Sequence, residues 1–135
     1  MISKEKSRLS IFFFASLSVT GIGVHAQERT VTVCDLLKSP NSFEGQSVAL
    51  SANLVLGPHG GYLLDEHCNS LGGLRLIVSD GDDDNRKVRD MMRWVMANHG
   101  HGRVKLEGAF QSKTDPETSG SFLFKRVLSY GDDVH

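Results

Sequence analysis

The amino-acid sequence predicts a mainly β fold of the α+β class, with five strands, a short N-terminal helix and a longer helix between the third and fourth strands. Apolar residues alternate with period two in "SVALSANLVLG" (47–57) and "RVKLEGAFQ" (103–111), which is the pattern of half-buried strands. In "NRKVRDMMRWVMA" (85–97) the spacing changes to that of an amphipathic helix. Segments rich in glycine, such as "GPHGG" (57–61), separate the elements and are typical of hairpin loops.

The N-terminal part is predicted to contain a short extended piece, one or two turns of helix and then the first strand. Val33, Leu36 and Leu37 have helical spacing. Pro40 ends this helix, because proline has no backbone N–H to continue it. The first strand has an apolar face made by every second residue: Val48, Leu50, Ala52, Leu54 and Leu56.

The second and third strands are short, and the longer helix follows them. "YLLD" (62–65) predicts the second strand and "LGGLRLIVS" (71–79) the third. Asp82–Asp84 precede the helix, where the dipole favours anions, so one of them is predicted to cap it. Asn98 and Gly100 are predicted to end the helix. The apolar stripe of the helix consists of Val88, Met91, Met92, Val95 and Met96.

The last two predicted strands are joined by the polar loop "SKTDPETSG" (112–120). The complete order of elements is the layout of the OB-fold, a five-stranded Greek-key barrel. Three segments carry a closer likeness: "VCDLLKSPNSFEGQSVALSANLV", "GGYLLDEHC" and "GRVKLEGAF". On these segments the chain resembles small exported bacterial OB-fold proteins of unassigned function and, more distantly, the stress-linked periplasmic OB-fold family. The resemblance covers nearly all of residues 31–130.

This resemblance also implies a binding surface. OB-folds commonly bind ligands on the face of strands two and three, together with the first and last hairpin loops. In this chain that surface would contain Tyr62 and Arg75 from the strands, His59 from the first hairpin loop and Lys113 from the last one.

Residues 1–26 are predicted to be a secretory signal peptide. A basic opening precedes an apolar run, and Val24 and Ala26 occupy the small-residue positions of a cleavage site. The apolar run is too short and too polar to span a bilayer comfortably, so no stable membrane insertion is expected after cleavage. We therefore predict a single domain at 27–135 in the periplasm or outside the cell.

Cys34 and Cys68 are the two cysteines of the chain. In an oxidising compartment two cysteines of a small domain usually pair. The bond would close a loop of about 35 residues, for which the chain-entropy estimate is roughly 4 kcal/mol. The alternative is a reactive thiol at Cys68, next to His67. A catalytic thiol needs a base aimed at it, and neighbouring side chains on an extended chain point in opposite directions.

Two clusters of polar residues raise the question of a metal site. Asp80, Asp82 and Asp84 have the alternate spacing of a calcium loop, but Asn85 replaces the glycine of that loop and Met91 the closing glutamate. The second cluster, with histidines two residues apart, consists of His99, His101 and the carboxylate of Asp80. It offers weak zinc-ligand candidates, while histidines at a helix exit also suit the negative end of the dipole.

We predict a disulfide-stapled, non-catalytic binding or interaction module that has no cofactor. No recognisable set of nucleophile, base and orienting group is visible. The leader holds three of the 15 basic residues and one of the 16 acidic ones, so the remaining chain is mildly acidic. Such a charge disfavours nucleic acid. Tyr62 is also nearly alone as a stacking aromatic, since Phe122 and Phe124 are predicted to be core and Trp94 a partly buried flank.

The predicted partner is a protein, peptide, glycan or small ligand. The alternative is a small metal-binding protein or metal-dependent enzyme that uses His99, His101 and nearby carboxylates.

Overall fold

The computed structural model describes residues 29–82, 85–112 and 118–134. In this part of the chain six strands belong to one sheet: β1 Thr30–Thr32, β2 Ser47–Gly57, β3 Gly60–Leu64, β4 Leu74–Ile77, β5 His101–Ser112 and β6 Gly120–Tyr130. The helices are α1 Val33–Lys38, α2 Pro40–Phe43 and α3 Arg86–Ala97, with 3-10 segments at Glu66–Leu71 and Gly131–Asp133. The predicted signal peptide at 1–26 and the candidate Lys113 lie outside the described residues.

Strands β2 to β6 close into a five-stranded barrel. The second half of β2 pairs with β3, and β3 pairs with β4. Strand β4 runs parallel to β6, β6 is antiparallel to β5, and β5 returns to β2 over residues 47–55. A mainly β fold with a closed barrel and short helices is therefore confirmed. Strand β1, predicted as an extended piece, pairs in parallel with the first half of β2 at residues 49–51.

The barrel interior is filled by the alternating apolar residues that the sequence indicated. The largest fully buried side chains include Phe110, Phe122, Leu50, Leu54, Leu63, Leu74 and Leu106. Phe124 is buried as well, so the predicted core position of both phenylalanines is confirmed. Interior and exterior residues alternate along each strand, so Ser51 of β2 and Glu107 of β5 lie on the opposite face from this core.

Helix α3 packs on the barrel through a narrower stripe than predicted. Val88, Met91 and Val95 are buried, whereas Met96 is 62% exposed. Met96 follows Val95 and so lies about 100° around the helix from it, at the edge of the contact. Trp94 flanks the other edge and is half-buried, as predicted, with its ring 5.5 Å from that of Tyr130.

The start of α3 also differs from the prediction, while its end agrees with it. The cap is Asn85, whose side-chain oxygen accepts a hydrogen bond from the Lys87 N–H at 2.9 Å. Of the predicted caps, Asp83 and Asp84 lie outside the described residues. Asn98 is the C-cap of α3, and Gly100 follows it with a φ of 82°, a backbone conformation that suits glycine. None of the described helices combines the length and apolar character needed to cross a membrane.

A buried carboxylate lies on the outer side of β5. Glu107 is 2% exposed and faces a register shift in β6, where Lys125 is the additional residue of a β-bulge. Lys125 Nζ lies 3.2 Å from Glu107 Oε1, and Arg126 Nε donates to Oε2 at 2.6 Å. Burial opposes ionisation, but the hydrogen bonds from Arg126 and Lys125 hold the pKa of Glu107 below its ordinary value.

We expect Glu107→Gln to lower the free energy of unfolding at pH 7 by about 1–2 kcal/mol, because charge-assisted hydrogen bonds are lost. A carboxylate with a lowered pKa stabilises the fold above its ordinary value of 4.5, and the contribution disappears as the pH falls through the lowered pKa. Urea unfolding between pH 3 and pH 7 should therefore show a flatter pH profile for the variant than for the parent protein.

Asp90→Asn is the matched control, since the ion pairs of Asp90 with Arg86 and Arg93 are exposed and measure 3.9 Å. Its stability should change little. An identical pH profile for Glu107→Gln and the parent protein would contradict the assignment.

Candidate functional site

A groove of about 280 Å³ runs over the outer surface between β2, β3 and the start of β6. Tyr62 lies in β3, where its cross-strand neighbours are Val55 of β2 and Arg75 of β4. The groove, which we call the Tyr62 groove, is lined by Val55, Tyr62, Leu64, Gly72, Gly73, Thr118 and Ser119. Two strands, the glycine pair before β4 and the two residues before β6 therefore contribute to a single concave surface.

The glycine pair allows the loop before β4 to approach the start of β6. Gly72 has a φ of 88°, and a Cβ atom there would collide with the Ser119 hydroxyl. A Cβ atom on Gly73 would collide with a methyl group of Leu64. Ser119 fixes the contact by donating its N–H to the Gly73 carbonyl at 3.2 Å and its hydroxyl to the Leu71 carbonyl at 2.5 Å. The position of Thr118 and Ser119 in the groove follows from these contacts.

Thr118 supplies a polar atom that the described fold does not satisfy. Its hydroxyl oxygen is buried and has no hydrogen-bond partner among the residues that the structure describes. A buried hydroxyl without a partner is costly, since it has lost its bonds to water. A ligand in the groove that carries a donor or acceptor would recover that loss.

The structure brings together some of the residues that the sequence predicted for the binding face. Tyr62 lines the groove, and Arg75 is exposed directly opposite it. His59 lies in the exposed turn between β2 and β3 and is not part of the lining. The sequence did not single out Thr118 or Ser119, because serine and threonine in a polar loop look like ordinary turn residues.

The predicted disulfide joins Cys34 of α1 to Cys68 of the 3-10 segment, with the two Cα atoms 5.6 Å apart. Both side chains are buried. Neither cysteine is free, so a reactive thiol at Cys68 is not what the structure shows. The bond ties the first helix to the segment that follows β3.

The candidate metal ligands lie at different places in the fold. His101 begins β5, His99 lies in the turn before it, and Asp80 follows β4. Among the described residues, three potential ligand atoms come within 4.8 Å of one another at Cys34, Asp65 and Cys68, but the two sulfur atoms there are bonded to each other. The site of His99, His101 and Asp80 stays a prediction, which metal analysis of protein purified without a histidine tag would test.

Comparison of this chain with protein-family models, curated proteins and solved structures found no match.

Proposed function

We propose that this protein is an exported, OB-fold-like binding module that holds its ligand in the Tyr62 groove. The parallel pairing of β4 with β6 and the place of α3 between β4 and β5 support a Greek-key barrel of the OB type. The Cys34–Cys68 disulfide supports an oxidising compartment, the periplasm or the exterior.

The observation that carries the proposal is the groove itself, with its apolar side walls and a hydroxyl pair at one end. Ligand sites are typically concave and mostly apolar, with a few polar groups that fix orientation. Val55, Leu64 and the ring of Tyr62 provide the apolar surface, and Thr118 and Ser119 provide hydroxyl groups. The volume of about 280 Å³ is enough for one small ligand group. We infer a ligand with one flat apolar face and several hydroxyl groups, as a pyranose ring has.

An oligosaccharide array probed with the purified protein, followed by calorimetric titration of the tightest hit, tests this function. We expect Tyr62→Ala to weaken binding by up to about tenfold, because an aromatic contact is worth roughly 0.5–1.5 kcal/mol. Thr118→Val, which keeps the shape and removes the hydroxyl, should also weaken it.

Arg86→Gln is the control, since Arg86 is exposed on α3 and does not line the groove. Recovery of a peptide ligand in place of a sugar would change the ligand class. Equal affinity in all three variants, or a robust hydrolytic activity of the purified protein, would overturn the proposal.

A further inference from the structure

A second cavity, of about 100 Å³, opens where the edge partner of β2 changes. Strand β1 pairs with β2 as far as Thr32 opposite Ser51. Strand β3 pairs with β2 from Leu64 opposite Asn53. Ala52 therefore lies between the two partner strands, and the side chains around this break enclose a small space, which we call the β2 cavity.

The polar lining of the β2 cavity has opposite charges on its two sides. Arg103 of β5 is paired with Asn53 on one side of β2, and Asp65 and Glu66 follow β3 on the other side. Neighbouring strands are about 4.8 Å apart, so residues on either side of β2 start roughly 10 Å from each other. The side chains converge from there on a cavity with a guanidinium on one wall and carboxylates on the other.

Ser51 places an unsatisfied hydroxyl in this lining. Its residue is 8% exposed, and its Oγ is buried without a hydrogen-bond partner among the residues that the structure describes. The fold gains nothing from such a group, because a buried hydroxyl loses its bonds to water. A bound molecule with a polar group at this place gives Ser51 a partner.

Asp65 is held in its ionised form by the segment around it. Its Oδ1 accepts hydrogen bonds from the His67 N–H at 3.0 Å and from the His67 ring, whose Nδ1 lies 2.9 Å away. Burial raises the pKa of Asp65, but these bonds and the positive charge of Arg103 lower it below its ordinary value. Both bonds use Oδ1, and Oδ2 has no hydrogen-bond partner among the residues that the structure describes.

We propose that the β2 cavity binds a small zwitterion of the α-amino-acid class. The ammonium group lies toward Asp65 and Glu66, the carboxylate lies toward Arg103, and Ser51 and Asn53 bond to the polar atoms between them. A simple anion meets two carboxylates here, and a metal cation meets the guanidinium, whereas a zwitterion complements both charges. The volume admits only a few heavy atoms, which limits the ligand to amino acids with small side chains.

The test uses the wild-type protein labelled with ¹⁵N and titrated in turn with glycine, alanine and serine. We expect saturable shifts of the amide resonances of Ser51, Asn53 and Arg103. N-acetylglycine lacks the ammonium group and glycinamide lacks the carboxylate, so each should bind about tenfold more weakly or worse. Absence of saturable shifts with the amino acids would overturn the proposal, and so would binding of either capped analogue as tight as that of glycine.

Variants separate ligand binding from folding. Arg103→Gln and Asp65→Asn should each weaken amino-acid binding by about tenfold. Asp65→Asn should still fold, because asparagine can replace aspartate as the N-cap of the 3-10 segment. Ser51→Ala should weaken binding while leaving the melting temperature unchanged or higher, because it removes an unsatisfied hydroxyl.

The controls are Arg86→Gln on the exposed start of α3 and Tyr62→Ala in the other groove, and both should bind the amino acid normally. This makes the result independent of the function proposed for the Tyr62 groove. Unchanged affinity in Ser51→Ala and Arg103→Gln would contradict the assignment.

Discussion

Replacing Cys34 with serine is expected to lower the melting temperature by roughly 10–20 °C, which corresponds to about 2–4 kcal/mol for a domain of this size. The disulfide closes a loop with a sequence separation of 34 and so restricts the unfolded chain. It also holds α1, whose six residues are too few for a stable isolated helix. Val33 and Leu36 of α1 belong to the core, so release of the helix exposes buried apolar surface.

Cys68→Ser should cause the same loss, and so should the double variant, because all three proteins lack one and the same bond. Both cysteines are similarly buried, at 7% and 4% exposure, so the cost of placing a serine hydroxyl there is similar. Reduction of the parent protein by a dithiol is the control, since it breaks the bond without changing side-chain shape. Calorimetry that showed clearly unequal losses for the two single variants would mean that the cysteines stabilise the protein separately.

Much of the barrel could be predicted because burial leaves a periodic signal in long strands. The alternation in β2 and β5 persists for several residues, so it predicted both the two strands and the residues of each strand that face the barrel interior. Three residues are too few to show a period, so the pairing of β1 with β2 could not be predicted. The exposed position of Met96 depends on how wide a strip of α3 the barrel covers, which the helix sequence does not contain.

The environment of Glu107 shows a second limit of sequence reasoning. In an alternating strand it falls on the polar face, where a solvent-exposed side chain is expected. It is buried because β6 gains a residue at Lys125 and brings two cations to one carboxylate. A register shift arises from the way two strands pair, so it leaves no periodic pattern in the sequence of either strand.

The candidate sites were predictable to a similar, partial degree. Tyr62 could be predicted because proteins of the expected fold class commonly bind ligands on one particular face of the barrel. The hydroxyl groups of Ser51 and Thr118 acquire significance only when they are buried without partners, and that depends on contacts with other strands and loops. Types and spacing of residues therefore located a face of the barrel, while tertiary packing defined the two cavities in it.

Gly108→Ala is expected to destabilise the protein by about 3 kcal/mol, the upper part of the usual range for overpacking, and to lower the melting temperature by more than about 10 °C. Gly108 occupies an inward-facing position of β5, in register with the buried residues Leu106 and Phe110. A Cβ atom there would collide with the backbone carbonyl of Leu123 and lie 2.7 Å from a ring carbon of Phe122. The phenylalanine is fully buried and the carbonyl belongs to a paired strand, so neither can move aside cheaply.

Gly57→Ala is the matched control, because Gly57 also lies in a strand but a Cβ atom there has its nearest neighbour at 3.8 Å. Its stability should change by less than about 0.5 kcal/mol, or rise slightly as the unfolded chain loses freedom. Chemical unfolding of both variants separates the steric cost from the general effect of replacing a glycine. If Gly108→Ala were as stable as Gly57→Ala, β5 and β6 would have to lie farther apart than the barrel described here requires.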